Sequence, residues 1–166
     1  ISASTGGPAR EIFQAFIEDA FGENATLAEF QARAFSHVVG AAHKGKENHE
    51  TVVVAAGTGF GKTEAFLFPV LYHALCVGLT TNWEDVKGTD ALLIYPRRDL
   101  CTNQLERVVR YIVLLNRQIR LHERGDAECD EHNPTPGRLR ATIAHGGVAQ
   151  RGWRVRCPLC EEEIGR

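Results

Sequence analysis

The sequence predicts an α/β fold built on a parallel sheet, and three observations predict it. "TVVVAA" (Thr51 to Ala56) and "ALLIYP" (Ala91 to Pro96) are apolar runs without alternation, the pattern of strands buried on both faces. Each is followed by residues of helical periodicity, and strands that alternate with helices pair in parallel through right-handed crossovers. Between the first run and its helix lies a glycine-rich turn, "AGTGFGKT" (Ala56 to Thr63), of the kind that cradles phosphate.

The bulk composition agrees with one domain. The chain has 166 residues, 43% hydrophobic and 24% charged, with a formal net charge of −2. That is ordinary globular composition, and it makes any basic surface a local one. The chain starts "ISASTGGPAR" and contains no Met, so a piece of a longer protein is expected. No signal peptide is visible. The longest apolar run, Phe66 to Val77, contains Pro69 and His73 and is too short to span a bilayer. The five cysteines (Cys76, Cys101, Cys129, Cys157 and Cys160) include one close pair, which does not read as a secreted disulfide framework. A soluble protein of the cytoplasm or nucleoid, without membrane contact, is the expectation.

Taken in order, "REIFQAFIEDAF" places Ile12, Phe13, Phe16, Ile17, Ala20 and Phe21 on one helical face. A second helix is expected from Thr26, where "TLAE" fits a capping box between Thr26 and Glu29. Its stripe is Leu27, Phe30, Ala34, Phe35 and Val38. "KGKENHE" (Lys44 to Glu50) is a polar loop, followed by the first strand and the glycine turn. "KTEAFLFPVLYHAL" continues as a helix that Pro69 kinks or breaks. After the loop "TNWEDVKGTD" comes the second strand, stopped by Pro96. A long helix runs from about Arg98 to Glu123, with Leu105, Val108, Val109, Ile112, Leu115 and Ile119 on one face. Its arginines (Arg107, Arg110, Arg117, Arg120, with Arg124 just beyond) read as a solvated face. "LRATIAHGG" (Leu139 to Gly147) reads as a third strand ending at two glycines.

The glycine turn carries the chemistry. In the pattern G-x-x-x-x-G-K-[ST], Gly61, Lys62 and Thr63 fit, and Ala56 stands at the first glycine position. Gly57 and Gly59 still let successive amides face a phosphate, with the positive end of the helix behind them. Lys62 is placed to reach the β- and γ-phosphates, and Thr63 to bind Mg²⁺ through its hydroxyl. Thr58, Phe60 and Glu64 complete the nucleotide-facing stretch.

With Ala at that position, "AGTGFGKTEAF" resembles motif I of superfamily-two (DEAD/DEAH-box-like) helicases. The resemblance implies a RecA-like phosphate-loop domain that uses ATP and Mg²⁺ to move along nucleic acid. It assigns Gln31, in "AEFQARAF", to the adenine edge. "LLIYPRRDLCTNQ" resembles motif Ia, with Pro96, Leu100 and Gln104 matching. The spacing from Pro96 to Gln104 is nearer the YPxxALAxDQ of large DNA helicases than the PTRELAxQ of the RNA type. Arg97 and Arg98 depart from both forms and add charge at a phosphate-facing turn. Gly146 and Gly147 resemble the glycine pair that approaches the strand's backbone. DNA is therefore the expected partner, with RNA the alternative. "TPGRL" (Thr135 to Leu139) spells the family's motif Ib but precedes the glycine pair, so it reads as a turn.

Motif II is not found. Neither "CDEH" (Cys129 to His132) nor "WEDV" (Trp83 to Val86) follows a buried strand. The second lobe with its arginine finger is also missing, so the chain alone is expected to bind nucleotide weakly and not hydrolyse it.

Cys157-Pro-Leu-Cys160 has zinc-knuckle spacing. Three readings stand: half of a zinc ribbon, a Cys₃His site completed by Cys129 and His132, or reduced cysteines in a turn. Arg151, Arg154 and Arg156 around Trp153 fit either a nucleic-acid contact or a solvated edge.

The expected organisation is an N-terminal helical region (1–50) with the Gln31 motif, the front of a RecA-like domain (51–150), and the start of a cysteine-bearing insertion (151–166). The expected function is part of an ATP-dependent helicase or translocase, acting with other subunits of a repair, restriction or anti-phage defence complex. An inactive phosphate-loop scaffold and a small-molecule kinase are the alternatives.

Overall fold

A computed structural model describes residues 7–43, 51–57, 59, 61–80, 91–125, 139, 141 and 154–165. The order is α1 (Pro8–Phe21), α2 (Glu29–His43), α3 (Lys62–Thr80), α4 (Arg98–Arg124), β1 (Arg154–Arg156) and β2 (Glu163–Gly165).

Local chemistry sets most helix ends. Pro8 opens α1, where its missing N–H removes one donor that no helical carbonyl could have met. At the other end Gly22 (φ 101°) donates to the Glu18 carbonyl. The second helix begins at Glu29, not at Thr26, which is exposed. The capping box is replaced by a side chain from inside the helix: Gln31 Oε1 accepts the Ala28 amide at 2.9 Å. Pro69 lies within α3, which continues through it to Thr80. There the buried proline packs in the core although it contributes no backbone donor. α4 runs for 27 residues and ends at Gly125, whose left-handed conformation (φ 73°) lets its N–H bond the Leu121 carbonyl.

The core is aromatic where the helices meet. Phe13 and Phe16 of α1, Phe35 of α2, Phe68 and Tyr72 of α3, and Tyr111 of α4 are all buried. Their rings meet mostly edge-on or tilted, as between Phe16 and Tyr111 (5.8 Å) or Phe13 and Tyr72 (5.3 Å). All six residues expected on the apolar face of α4 are buried. By length and composition α3 could cross a membrane, but Leu67, Phe68, Leu71, Tyr72 and Leu75 are used in this core.

Polar groups fasten α4 to its surroundings. The Arg117 guanidinium meets the Asp19 carboxylate at 2.7 Å, and Gln118 donates to the same group. Half-exposed ion pairs of this kind contribute about 1 kcal/mol or less. Asn116, buried, donates to the Leu139 carbonyl and accepts the Leu139 amide, both at 3.1 Å. That exchange ties the start of the expected third strand to α4. Arg120, read from sequence as solvated, is instead 2% exposed.

The expected parallel sheet is not formed among the described residues, whose one sheet is the antiparallel β1–β2 hairpin. Residues 51–57 and 91–95 run outside any sheet, and their burial is one-sided. Leu93 packs on the helical core, while Leu92, Ile94 and Val53 are 78%, 82% and 84% exposed. Continuous apolarity was read as burial on both faces. The described helices cover only one, and parallel strands need both lateral partners and a second layer to bury the other.

Candidate functional site

The turn before α3 is shaped by its glycines. Gly59 (φ 83°) and Gly61 (φ 76°) both occupy the left-handed region, which glycine adopts without penalty. Lys62 then starts α3, and the Gly61 carbonyl accepts the Ala65 amide at 3.3 Å as the first helical bond. The loop thus ends on the positive pole of a 19-residue helix.

Lys62 folds back over the loop, its Nζ donating to the carbonyls of Ala56 and Gly57, each at 2.8 Å. The ammonium is thus held at the loop by two neutral carbonyls, which an anionic oxygen can displace. Gln31, 30 residues earlier, donates from Nε2 to the Gly61 carbonyl at 3.0 Å. Both ends of the Gln31 amide are thus engaged within the chain, Oε1 by the Ala28 amide and Nε2 by the Gly61 carbonyl. Thr63 is half-buried in the first turn of α3, and Gly57 is exposed. An ammonium and a helix N-terminus meet at this turn, with Thr63 as the second residue of the helix, a set of residue types that fits a triphosphate with its divalent cation. Thr58 and Phe60 lie outside the described residues.

Gly61 has a second constraint. A Cβ there would lie 2.6 Å from Gln31 Nε2. We expect Gly61→Ala to destabilise the protein by about 1–2 kcal/mol through the left-handed backbone alone. It should also push Gln31 off the loop and weaken nucleotide binding. Urea unfolding and a nucleotide titration on the same variant measure both effects.

Glu64, assigned by sequence to the nucleotide, is turned instead towards α4. Its Oε1 accepts from Arg107 Nη1 at 3.2 Å and from the Tyr111 hydroxyl at 3.1 Å. Burial, and then the adjacent Glu64 charge, push the Tyr111 phenol up to about 12. The raised value means that the fold favours the neutral phenol. This contribution to stability is complete below the unfolded value near 10 and is lost as pH rises through about 12. In an alkaline titration of tyrosinate absorbance, Tyr111→Phe should remove the highest step. Sequence reasoning missed Arg107 and Tyr111, since partners 43 and 47 residues apart leave no local signal.

The expected nucleic-acid turn lies at the head of α4. Pro96, Arg97 and Arg98 are all exposed, and Arg97 is the extended residue before the first helical turn. Two guanidiniums at a helix N-terminus suit a phosphate backbone. Gln104 is half-buried, and its Oε1 is enclosed without a hydrogen bond from a described residue. Gly146 and Gly147 lie outside the described residues, as do Arg151, Trp153, Cys129 and His132. Cys157 is buried and Cys160 exposed. Among the described residues no three His, Cys, Asp or Glu side chains cluster as a metal site. The expected half ribbon contributes two such side chains here, Cys157 and Cys160.

Comparison with known proteins bears on this site directly. ATP-dependent RNA helicase dbp4 of Emericella nidulans is 40% identical over 87 residues, covering 52% of this chain and 9% of the fungal protein. The protein of the same description from Neosartorya fischeri is 39% identical, and that from Coccidioides immitis 37% identical, with the same coverage. The matched stretch thus covers less than a tenth of the length of these relatives. No solved structure gives a significant match. A family model described as DEAD/DEAH box helicase matches residues 28–146, which takes in Gln31, the glycine loop and the head of α4. The chain belongs to the DEAD/DEAH box helicase family.

Proposed function

We propose that this chain is the nucleotide-binding front of a RecA-like lobe in an ATP-dependent helicase or translocase. The observation that carries the proposal is the convergence of Lys62, Gly61 and Gln31 on one turn at the head of α3. In this reading Lys62 holds the β- and γ-phosphates. Thr63 binds Mg²⁺, Gln31 faces the adenine, and the turn of Gly57, Thr58, Gly59, Phe60 and Gly61 wraps the phosphates. Bound Mg²⁺ supplies charge neutralisation at the transferring phosphate. Glu64 has a supporting part: it fixes α3 to α4 through Arg107 and Tyr111.

A nucleic-acid strand lies along Pro96, Arg97 and Arg98, with Gly146 and Gly147 as a second backbone contact. The relatives are RNA helicases by name, which makes RNA the favoured strand. The Pro96 to Gln104 spacing favours DNA as a second reading. Nothing in the relatives' names supports a repair, restriction or defence assembly. A location in cytoplasm or nucleoid rests on this proposal alone.

The test is ATP turnover by the full-length protein with no nucleic acid, with single-stranded RNA, and with single-stranded DNA of the same sequence. Stimulation by RNA is expected. Stimulation by DNA alone would move the assignment to the second reading, and none by either would remove the helicase. The present chain alone should bind nucleotide without turning it over, and robust strand-stimulated turnover by it would contradict the absence of motif II.

A further inference from the structure

We propose that the tip of the β1–β2 hairpin is a two-thiolate half of a tetrahedral zinc site, with Cys157 and Cys160 as its ligands. The inference stands apart from the nucleotide site and rests on how the turn is built.

The antiparallel register pairs Arg156 with Glu163, so Cys157 to Glu162 form the connection between the strands. Its first residue is pinned at both backbone ends. The Cys157 amide donates to the Glu162 carbonyl at 2.8 Å, and the Cys157 carbonyl accepts the Glu161 amide at 3.0 Å. A third amide, from Leu159, points at the sulfur itself and lies 3.4 Å from Cys157 Sγ. An N–H aimed at the sulfur fixes the direction of its lone pairs, as outer-shell hydrogen bonds do for metal ligands. Tight reversal then returns Cys160 to the same turn. Directly after it Glu161 adopts φ 61°, the only left-handed non-glycine residue among those described. A residue with a side chain resists such a conformation, which persists where its surroundings fix it.

Each strand has three residues, and an isolated two-stranded ribbon is marginal in water even when longer. Cys157 and Leu159 pack on Leu105, Val109 and Val113 of α4. A metal bound by the turn would lock it in the conformation that makes this contact. Zinc suits paired thiolates in a C-x-x-C turn better than a hard oxygen-seeking cation does. On binding, each thiol loses its proton to solvent and its sulfur donates a lone pair to the metal, so uptake releases protons. Two further ligands from outside the hairpin complete the tetrahedron. The metal then braces the hairpin against the helix whose head carries Arg97 and Arg98.

The test is the metal content of the full-length protein purified without added chelator, measured for the native sequence, Cys157→Ser and Cys160→Ser. Bound zinc is expected in the native protein and should be lost in both variants. Absence of zinc from the native protein overturns the site, and so does zinc retained in both variants. Since Cys157→Ser can disturb the buried turn, cobalt substitution of the native protein provides a second reading. Thiolate-to-cobalt absorption is expected, and a cobalt spectrum without it overturns the site. Nucleotide binding by Cys160→Ser, whose side chain is exposed, should stay unchanged, which separates this inference from the ATP reading.

Discussion

Lys62→Ala in the full-length protein should lower ATP turnover by about 10²–10³-fold or more, the loss seen when one preorganised charge-stabilising donor is removed. Among the described residues Lys62 Nζ has no hydrogen-bond partner beyond the two loop carbonyls of Ala56 and Gly57, which water can satisfy once the ammonium is gone. The fold should therefore survive, and thermal unfolding should change little. Strand binding at Pro96 to Arg98 should persist, because that turn belongs to α4 and not to the loop. Measuring turnover, melting and strand binding on the same variant separates lost chemistry from lost fold. Loss of all three would mean that Lys62 supports the structure.

Phe16→Ala should cost about 3–5 kcal/mol, the range for truncating a buried aromatic side chain. Phe16 is 0% exposed and its ring meets Phe13 at 5.3 Å, Tyr111 at 5.8 Å and Phe68 at 6.2 Å. Three helices thus lose contact with a single truncation, and their rings are too rigid to collapse into the space. Domains are typically stable by only about 5–15 kcal/mol, so much of the total is at stake. A urea midpoint well below the native one is expected. Asp19→Ala, which removes a half-exposed ion pair, should shift it by about 1 kcal/mol or less. Similar losses from the two variants would mean that the aromatic core is not the principal tie between α1, α3 and α4.

What could be read in the sequence follows from which interactions are local. The apolar face of α4 was legible from Leu105 to Ile119, because its period is a property of consecutive residues. The glycine loop was legible for the same reason: Gly59 and Gly61 mark left-handed positions that side chains avoid. The start of α2 was not, since Gln31 competes with Thr26 for the capping role and only geometry selects between them. Burial of Val53, Leu92 and Ile94 was also misread. Apolar character records what a residue can bury, whereas exposure depends on what covers it. The ties from Glu64 to Arg107 and Tyr111 and from Asn116 to Leu139 join distant segments, and no spacing rule announces them. Arg120 was placed with its exposed neighbours on charge alone, although a long helix packed along much of its length buries more than a single stripe.

The central claim, that a nucleotide lies on the turn at the head of α3, is tested most directly by amide hydrogen exchange with and without a non-hydrolysable ATP analogue and Mg²⁺. Slower exchange is predicted from Ala56 to Ala65 and at Gln31, with the effect lost in Lys62→Ala. Exchange there that the analogue leaves unchanged, or protection confined to other segments, would contradict the claim.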